Sequence, residues 1–440
     1  MLLGLALVIG LLLRLAPVLG ADFPLGDGGL FATMAHDIRQ AHFALPYYSS
    51  FNAGDVPFAY PPIGLYILAA IPGDPTFTER WLPLAYSMLA IGTAYLLARE
   101  LTDEARAGLA ALIFAAMPVT WTIEGGGVTR GLGLALLIAS LWRVAVLFRS
   151  PTVRNAVAAG VVAAIACLSH PGVGPTGVAS AVLLLAVAPS RRRLVALLGA
   201  GLVAAVVILP WLSLVLSRYG STALFTAAGV PHGIGEDVLR LLTVGPSWVE
   251  PLDFVVPFAL LGVVVSIHRG DRMLPLWILL LIVVPGGSGR NAAIVWAMLA
   301  AIGVTTLAEA LQGIGARRLG AIVGLTWVVV APFTAGYQEY TAVPPAVRAA
   351  MLAAGKGTAP GTRFAIVSEN PDLRGLALDW FPALSGRVSL GTSMGMEWAS
   401  AAKFQGAVNR DHQIQAGQLP AQAEAIFTIA GSSASWRLLH

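Results

Sequence analysis

The residues most able to do chemistry lie in short polar segments between long apolar stretches. Asp27 belongs to the run GDGGLFATMAHDI, and a carboxylate held there can act as a general base that deprotonates an acceptor hydroxyl. An Asp before Gly-Gly-Leu also suits the N-cap of the helix that follows, and the two roles are compatible. Asp22 is a weaker candidate for the base, because no helix follows it directly to position the side chain.

Two arginines beside glycines are candidates for binding phosphate. Arg130 follows EGGGVT, Arg290 ends GGSGR, and each stands at the start of an apolar stretch. Helix N-termini with arginine and flanking glycines favour phosphate, although interfacial anchoring predicts the same placement. Glu124 shares a loop with Arg130, where it either contacts a ligand or ends a tight turn whose glycines allow a close backbone approach.

Two further polar residues stand in or beside apolar stretches. Arg14 lies inside the first stretch, where a charge is costly and is expected to be paired, to snorkel or to face an external cavity. His170 ends a later stretch and is either a structural residue or a ligand contact. The chain has neither an HExxH motif nor a Walker A loop, so nothing predicts a metal motif or a nucleotide-driven mechanism.

Composition places these residues in a membrane protein. Of the 440 residues 57% are hydrophobic and 11% are charged, and the mean hydropathy is +0.77. Continuous apolar stretches near bilayer length must be helices, because lipid cannot satisfy exposed backbone groups. The net charge of +4 arises from arginines in short clusters, which does not indicate nucleic acid binding.

The apolar stretches predict a polytopic α-helical protein with about eleven transmembrane helices. Their approximate bounds are Leu2–Leu19, Trp81–Ala98, Ala107–Trp121, Gly131–Phe148, Ala156–Ser169, Thr176–Ala188, Leu194–Leu216, Leu252–Ile267, Met273–Pro285, Ala292–Leu311 and Leu319–Gly336. We interpret the first as an uncleaved helix. Pro61–Ile71 is left out, because it has roughly half the length of a span and opens on two prolines. It is expected to be a short helix at the membrane interface.

Basic residues between the predicted spans indicate the orientation. Five loops on one side carry two or three arginines each, whereas the opposite loops hold mostly single ones. The five loops contain Arg99 and Arg106, Arg149 and Arg154, Arg191 to Arg193, Arg269 and Arg272, and Arg317 and Arg318. This asymmetry predicts a multi-pass protein of the plasma or inner membrane with a cytoplasmic N-terminus. The first loop, 21–80, and the tail after Gly336 are then extracytoplasmic.

Beyond the last predicted span the apolar runs shorten and polar residues return. Segments with the pattern of strands are Arg363–Val367 and Ala425–Ile429, and segments with the pattern of helices are Pro345–Ala354 and Met396–Val408. We therefore predict a transmembrane domain over residues 1–336 and a small extracytoplasmic α/β domain over residues 337–440.

Four short sequence segments follow one another within the first 150 residues. They are GDGGL at 26–30, YPPIGLY at 60–66, RWLP at 80–83 and AREL at 98–101. In this order they resemble the GT-C class of membrane glycosyltransferases, the superfamily of protein O-mannosyltransferases and aminoarabinose lipid A transferases. The rest of the chain resembles the class by architecture alone. DWFPALSGR at 379–387, with Glu397 and Trp398, either resembles a motif of prokaryotic relatives or consists of ordinary core aromatics and turns.

The resemblance implies an inverting glycosyltransferase with a polyprenyl-phosphate-linked sugar as donor. Asp27 is then the catalytic base, Arg130 or Arg290 lies near the donor phosphate, and the acceptor is a lipid, glycan or protein. Many such enzymes use a divalent metal ion. The chain departs from the class at Gly28, where relatives commonly have Glu, and at Tyr60, where they often have a basic residue; Tyr60 thereby joins the candidate substrate contacts.

Two other functions fit a polytopic chain of this composition. A transporter or lipid flippase is the first, but charges inside the predicted spans are few beyond Arg14 and Arg143, and no inverted repeat is evident. The second is a catalytically inactive relative that binds glycolipid. Replacement of Asp27 by Asn separates it from an enzyme, since a binding protein keeps its function.

Overall fold

The computed structural model describes residues 1–54, 56–221, 223–224, 255–284, 289–310, 315 and 340–439. Its helices, in chain order, are α1 Leu2–Gly20, α2 Gly29–Gln40, α3 Ile63–Ala70, α4 Pro75–Leu101, α5 Glu104–Ala116, α6 Gly127–Arg149, α7 Val153–Cys167, α8 Val173–Val187, α9 Arg191–Tyr219, α10 Val255–His268, α11 Met273–Val283, α12 Ala293–Ala310, α13 Pro345–Gly357, α14 Pro371–Ser385 and α15 Ala401–Gln415. The strands are β1 Tyr48–Ser49, β2 Val56–Pro57, β3 Arg363–Ser368, β4 Val388–Ser389, β5 Ala425–Ala430 and β6 Ser433–Leu438.

Ten of the eleven predicted spans overlap helices in this part of the chain, and the eleventh, Leu319–Gly336, lies outside it. In the described ranges, α1, α4, α6, α9 and α12 are long and apolar enough to cross a membrane, and α7, α8, α10 and α11 are shorter apolar helices. The predicted end at Trp121 is wrong, because α5 ends at Ala116. Pro118 opens a short 3₁₀ turn there, since its ring disfavours helical backbone at the preceding residue.

Small residues let the membrane helices pack closely. A Cβ at Gly262 of α10 would lie 1.9 Å from the carbonyl oxygen of Leu299, and one at Gly303 of α12 would lie 2.0 Å from that of Phe258. The two backbones therefore touch at a distance that any side chain would prevent, as is usual for helix pairs in membranes.

The two short helices of the first loop, α2 and α3, pack against each other. The apolar residues of α2, Leu30, Phe31, Met34, Ala35 and Ile38, are all buried, as the helical spacing predicts. They pack against α3, Phe51, Val56 and Trp398. The eight-residue α3 is too short to span a bilayer, so the exclusion of Pro61–Ile71 from the spans is consistent with the structure.

The tail forms a four-stranded sheet in the order β4-β3-β5-β6. β3 runs parallel to β4 and β5, and β5 and β6 form an antiparallel hairpin. Phe364, Phe381 and Phe427 pack together between the sheet and α14. Both predicted strands and the predicted helix at Pro345 are present. The helix predicted over Met396–Val408 is wrong at its start, because the Ser400 side chain caps a new helix by accepting a hydrogen bond from Lys403 N.

Candidate active site

Three distant segments meet at Leu25. This residue bridges Glu124 in parallel and Ala342 in antiparallel fashion, so the first loop lies between the second loop and the start of the tail. The Gly125 N–H donates to the Leu25 carbonyl oxygen at 2.7 Å, and the Gly126 N–H donates to the Asp27 carbonyl oxygen at 2.8 Å. These backbone contacts bring the loop with Glu124 and Arg130 against Asp27.

Asp27 and Arg130 form a two-point ion pair. Arg130 Nη1 donates to Asp27 Oδ2 at 2.8 Å, and Nη2 donates to Asp27 Oδ1. Its Nε donates to Glu124 Oε1 at 3.0 Å, and Arg290 Nη1 lies 3.5 Å from the same oxygen. Carboxylates and guanidinium groups thus alternate in the order Asp27, Arg130, Glu124, Arg290. The structure brings together four of the candidate residues.

The glycine run of the second loop makes this arrangement sterically possible. A Cβ at Gly125 would lie 2.5 Å from the Asp27 carbonyl oxygen, and a Cβ at Gly126 would lie 2.8 Å from Asp27 Oδ1. Glycine is required at Gly125, where a Cβ would meet backbone; at Gly126 a Cβ would displace the ends of the Asp27 and Arg130 side chains and so disturb their pair. The close approach expected from the sequence occurs, and it is made to Asp27.

Asp27 stays ionised in this environment. Burial by itself raises the pKa of the carboxyl, but the charge and hydrogen bonds of Arg130 more than offset it and hold the pKa below its usual range. The side chain is nevertheless 20% exposed. An ionised carboxylate that a ligand can still reach is able to accept a proton from a hydroxyl.

The N-cap predicted for Asp27 is wrong. The residue before α2 is Gly28, which has no side chain to cap the helix, and the Asp27 carboxylate is turned to Arg130 instead. The cap comes from the tail: Asp379 Oδ2 accepts hydrogen bonds from Gly28 N at 2.7 Å and Gly29 N at 2.8 Å. Capping and ion pairing are therefore divided between two carboxylates.

Arg14 does not face an external cavity and does not snorkel. Its guanidinium is fully buried and donates to Ser87 Oγ at 2.6 Å, to the Ala115 carbonyl oxygen at 2.7 Å and to Thr120 Oγ1 at 3.0 Å. These acceptors belong to α4, α5 and the turn after α5, so Arg14 ties α1 to its neighbours. This arrangement argues against a role in binding substrate.

Tyr60 and His170 form a neutral wall beside the charged residues. The Tyr60 hydroxyl lies 3.1 Å from Thr129 Oγ1, and burial raises the pKa of this phenol to about 12. His170 packs edge-on against the Tyr60 ring with centroids 6.3 Å apart. Burial, with Arg290 and Arg130 nearby, lowers the pKa of His170 to about 3, so the imidazole is neutral at physiological pH.

Sequence reasoning missed Glu79 and did not assign Asp379 or Trp380 to the site. Glu79 is fully buried near the start of α4, and within the described ranges neither of its carboxylate oxygens has a hydrogen-bond partner. Asp379 and Trp380 lie in the tail segment singled out at 379–387, but nothing local connects that segment to Asp27. Glu79 carries no local signal at all.

The divalent metal ion implied by the resemblance does not fit the side chains placed here. Within the described ranges no three His, Cys, Asp or Glu side chains are grouped so that they could hold a metal ion.

Comparisons with known proteins agree with the fold. The family model for dolichyl-phosphate-mannose-protein mannosyltransferases matches residues 59–214. A search of curated protein sequences gives no significant match.

Among solved structures, the oligosaccharyltransferase AglB from Archaeoglobus fulgidus, in complex with an inhibitory peptide and a dolichol-phosphate, superposes with a TM-score of 0.65. The identity is 12%, with 97% of this chain and 69% of that chain covered. ArnT from Cupriavidus metallidurans, bound to undecaprenyl phosphate, superposes with a TM-score of 0.60 at 14% identity. In that match 96% of this chain and 92% of that chain are covered. At such identities the likeness is one of fold.

Proposed function

This chain has the fold of the GT-C membrane glycosyltransferases, and from that premise we propose that it transfers a sugar from a polyprenyl-phosphate-linked donor to an acceptor hydroxyl. The reaction takes place at the extracytoplasmic surface of the membrane and inverts the anomeric carbon. Asp27 is the general base. The acceptor is a lipid, a glycan or a protein.

The observation that supports this function best is the state of Asp27. Its carboxylate is held at two points by Arg130, stays ionised and remains 20% exposed. It lies in a loop between α1 and α2, at the end of a candidate membrane span. A base in this position meets an acceptor hydroxyl at the level where the phosphate of a lipid-linked donor lies.

The transfer is a single displacement. Asp27 takes the proton from the acceptor hydroxyl while the oxygen attacks the anomeric carbon. The bond between that carbon and the phosphate oxygen breaks, and polyprenyl phosphate leaves with the electron pair. Because the acceptor attacks opposite the leaving phosphate, the configuration at the anomeric carbon is inverted.

Arg290 is the better of the two candidates for the donor phosphate. Arg130 is already committed, since it donates to both oxygens of Asp27 and to Glu124. Arg290 makes one long contact with Glu124, and its side chain is 35% exposed. The solved relatives contain dolichol-phosphate and undecaprenyl phosphate, which supports a lipid phosphate as the ligand of this chain. Arg290 then stabilises the leaving phosphate, and Arg130 orients the base.

The experiment compares Asp27→Asn with Asp22→Asn, a matched change in the same loop. Asp22 is exposed and pairs with Arg348 at the surface. Purified protein in nanodiscs is given undecaprenyl-phosphate-linked and dolichol-phosphate-linked sugars, and the released polyprenyl phosphate is quantified by mass spectrometry. We expect Asp27→Asn to lower turnover by roughly 10²–10⁴-fold, the usual contribution of a general base, and Asp22→Asn to leave it unchanged.

Near-normal transfer by a folded Asp27→Asn protein would refute Asp27 as the base. Failure of the wild type to release polyprenyl phosphate from any of these donors would refute the proposed activity itself. Specific binding of the donors without transfer would instead favour the inactive glycolipid-binding relative.

A further inference from the structure

Helix α14 of the tail contacts the backbone on both sides of Asp27. Before Asp27, Trp380 Nε1 donates a hydrogen bond to the Gly26 carbonyl oxygen at 2.9 Å. After Asp27, the Gly28 and Gly29 N–H groups donate to Asp379 Oδ2 at 2.7 and 2.8 Å. These N–H groups lie at the start of α2, where no intrahelical acceptor exists, so without Asp379 they would be unsatisfied.

Helix α14 and the first loop are packed so closely that there is no room for a Cβ at Gly28 or Gly29. A Cβ at Gly29 would lie 2.5 Å from the Asp379 carbonyl oxygen, and one at Gly28 would lie 2.8 Å from both Trp380 Cζ2 and Glu79 Oε2. The Trp380 ring packs edge-on against Phe23 with centroids 4.5 Å apart. Trp380 is fully buried and Asp379 is 4% exposed. Neither the loop nor α14 can shift against the other without breaking these contacts.

We propose that Asp379 and Trp380 are positioning residues, which hold the backbone of Asp27 in the geometry that the transfer reaction needs. Arg130 orients the carboxylate from one side, and α14 holds the main chain from the other. The inference rests on the proposed function for its catalytic consequence, but the structural constraint itself can be measured without any substrate.

The charge of Asp379 gives this constraint a pH signature. The groups that face Asp379 are carboxylates, Asp27 of the first loop and Glu79 of α4, and the described residues place no arginine against it. Burial and the charge of Asp27 raise the pKa of Asp379 to about 6. Above that pH the side chain is a carboxylate, which accepts stronger hydrogen bonds than a neutral acid and is favoured at a helix N-terminus. The raised pKa means, however, that the docked Asp379 holds a proton more tightly than an exposed one would, so the constraint is kept as the pH falls through about 6 and weakens as the pH rises through it.

The main test compares Asp379→Ala with Asn370→Ala. Asn370 caps the N-terminus of α14 itself, where its Oδ1 accepts from Asp372 N at 3.0 Å and Leu373 N at 3.1 Å. Each substitution thus removes a side chain that caps a helix through two backbone N–H groups, but only one of them touches the first loop. Hydrogen–deuterium exchange is followed on the peptide that contains Gly28 and Gly29, and turnover is measured in the transfer assay.

We expect Asp379→Ala to accelerate exchange of this peptide by roughly tenfold or more, because two hydrogen bonds to a charged acceptor are lost. Turnover should fall by a similar factor with little change in KM for the donor, and Asn370→Ala should change neither. Trp380→Phe keeps an aromatic ring but loses the indole N–H that donates to the Gly26 carbonyl oxygen, so a smaller change in the same direction is expected. Asp379→Asn keeps an acceptor but removes the charge, so the protection factor of this peptide should lose its dependence on pH near 6.

Unchanged exchange in Asp379→Ala would overturn the inference, and so would faster exchange with wild-type turnover. Equal effects of Asn370→Ala and Asp379→Ala on the first loop would also overturn it, since the effect would then be a general loss of stability. If Asp379→Ala does not fold, Asp379→Asn and Trp380→Phe decide by the same readouts. If the wild type transfers no sugar, the proposed function fails, and the positional constraint is judged by exchange alone.

Discussion

The two sides of the segment Gly26–Gly29 differ in whether their carboxylates have cationic partners. On the arginine side, formed by Asp27, Arg130, Glu124 and Arg290, two carboxylates alternate with two guanidinium groups. On the tail side, formed by Asp379, Trp380 and Glu79, the described residues give the carboxylates no cationic partner and give Glu79 no hydrogen-bond partner.

Ion pairing with arginine, more than burial, distinguishes the carboxylates of the two sides. Burial pushes the pKa of Asp27 and of Asp379 upward, but Arg130 reverses the effect at Asp27, whereas Asp379 keeps a pKa of about 6. The arginine side therefore keeps an anion ready to accept a proton. The tail side uses its carboxylate to bind backbone N–H groups and shape the loop.

The largest effect is expected when the arginine side loses its central cation. Arg130→Gln removes the two-point pair and leaves Asp27 facing Glu124, so the pKa of Asp27 rises and activity is lost as the pH falls through the raised value. Turnover near neutral pH should drop about 10²-fold, within the range of a misplaced general base. The measurement is the pH profile of turnover. The control is Arg149→Gln, which removes an exposed arginine that pairs with Glu100 away from the loop; an equal loss there would contradict the assignment.

A smaller effect should follow from Arg290→Gln, which keeps the pair of Asp27 with Arg130. If Arg290 contacts the donor phosphate, the lost charge-assisted contact weakens donor binding by about tenfold or more. Turnover at saturating donor should change much less. Titration of the protein with undecaprenyl phosphate measures the affinity. The control is Arg269→Gln, because Arg269 lies 3.8 Å from Glu309 in an exposed ion pair. Unchanged affinity in Arg290→Gln would move the phosphate contact elsewhere.

The smallest effect is expected on the tail side, at Glu79. In the described part of the chain its carboxylate has no hydrogen-bond partner, and the charges nearest to it are negative, so Glu79→Gln should shift the free energy of unfolding by less than about 1 kcal/mol. Asp411→Asn is the contrast, because it breaks a two-point pair with the buried Arg374 and should cost roughly 3 kcal/mol. Thermal unfolding of both variants in detergent measures the difference. Equal destabilisation would show that Glu79 has a partner after all.

The resemblance to the GT-C class, drawn from four short segments, is confirmed by the family match and the solved structures. The segment YPPIGLY leads into α3, and the segment RWLP lies in the first turns of α4. In both places proline and a run of apolar residues set the local backbone. Such patterns are visible in a sequence because the interactions behind them lie within a few residues of one another.

Two of the errors, at Asp27 and Arg14, share one cause. Asp27 has the sequence of an N-cap, yet the cap comes from Asp379, which lies 351 positions from the N–H group of Gly28 that it binds. Arg14 was expected to be paired, to snorkel or to face an external cavity, and the acceptors that it binds, Ser87 and Thr120, lie 73 and 106 positions away. A side chain with several possible partners takes the one that folding brings closest, and distance along the chain does not predict it.

Apolar stretches of bilayer length, proline at helix starts and glycine where backbones touch are properties of the local sequence, and they were sufficient to predict most helices and the loop that carries Asp27. The partners of each buried charge depend on which segments meet. That is why the pair of Asp27 with Arg130, the cap from Asp379 and the unpartnered Glu79 follow only from the tertiary structure. In a low-dielectric interior, a few ångströms decide whether a carboxylate is neutralised, hydrogen-bonded or left alone.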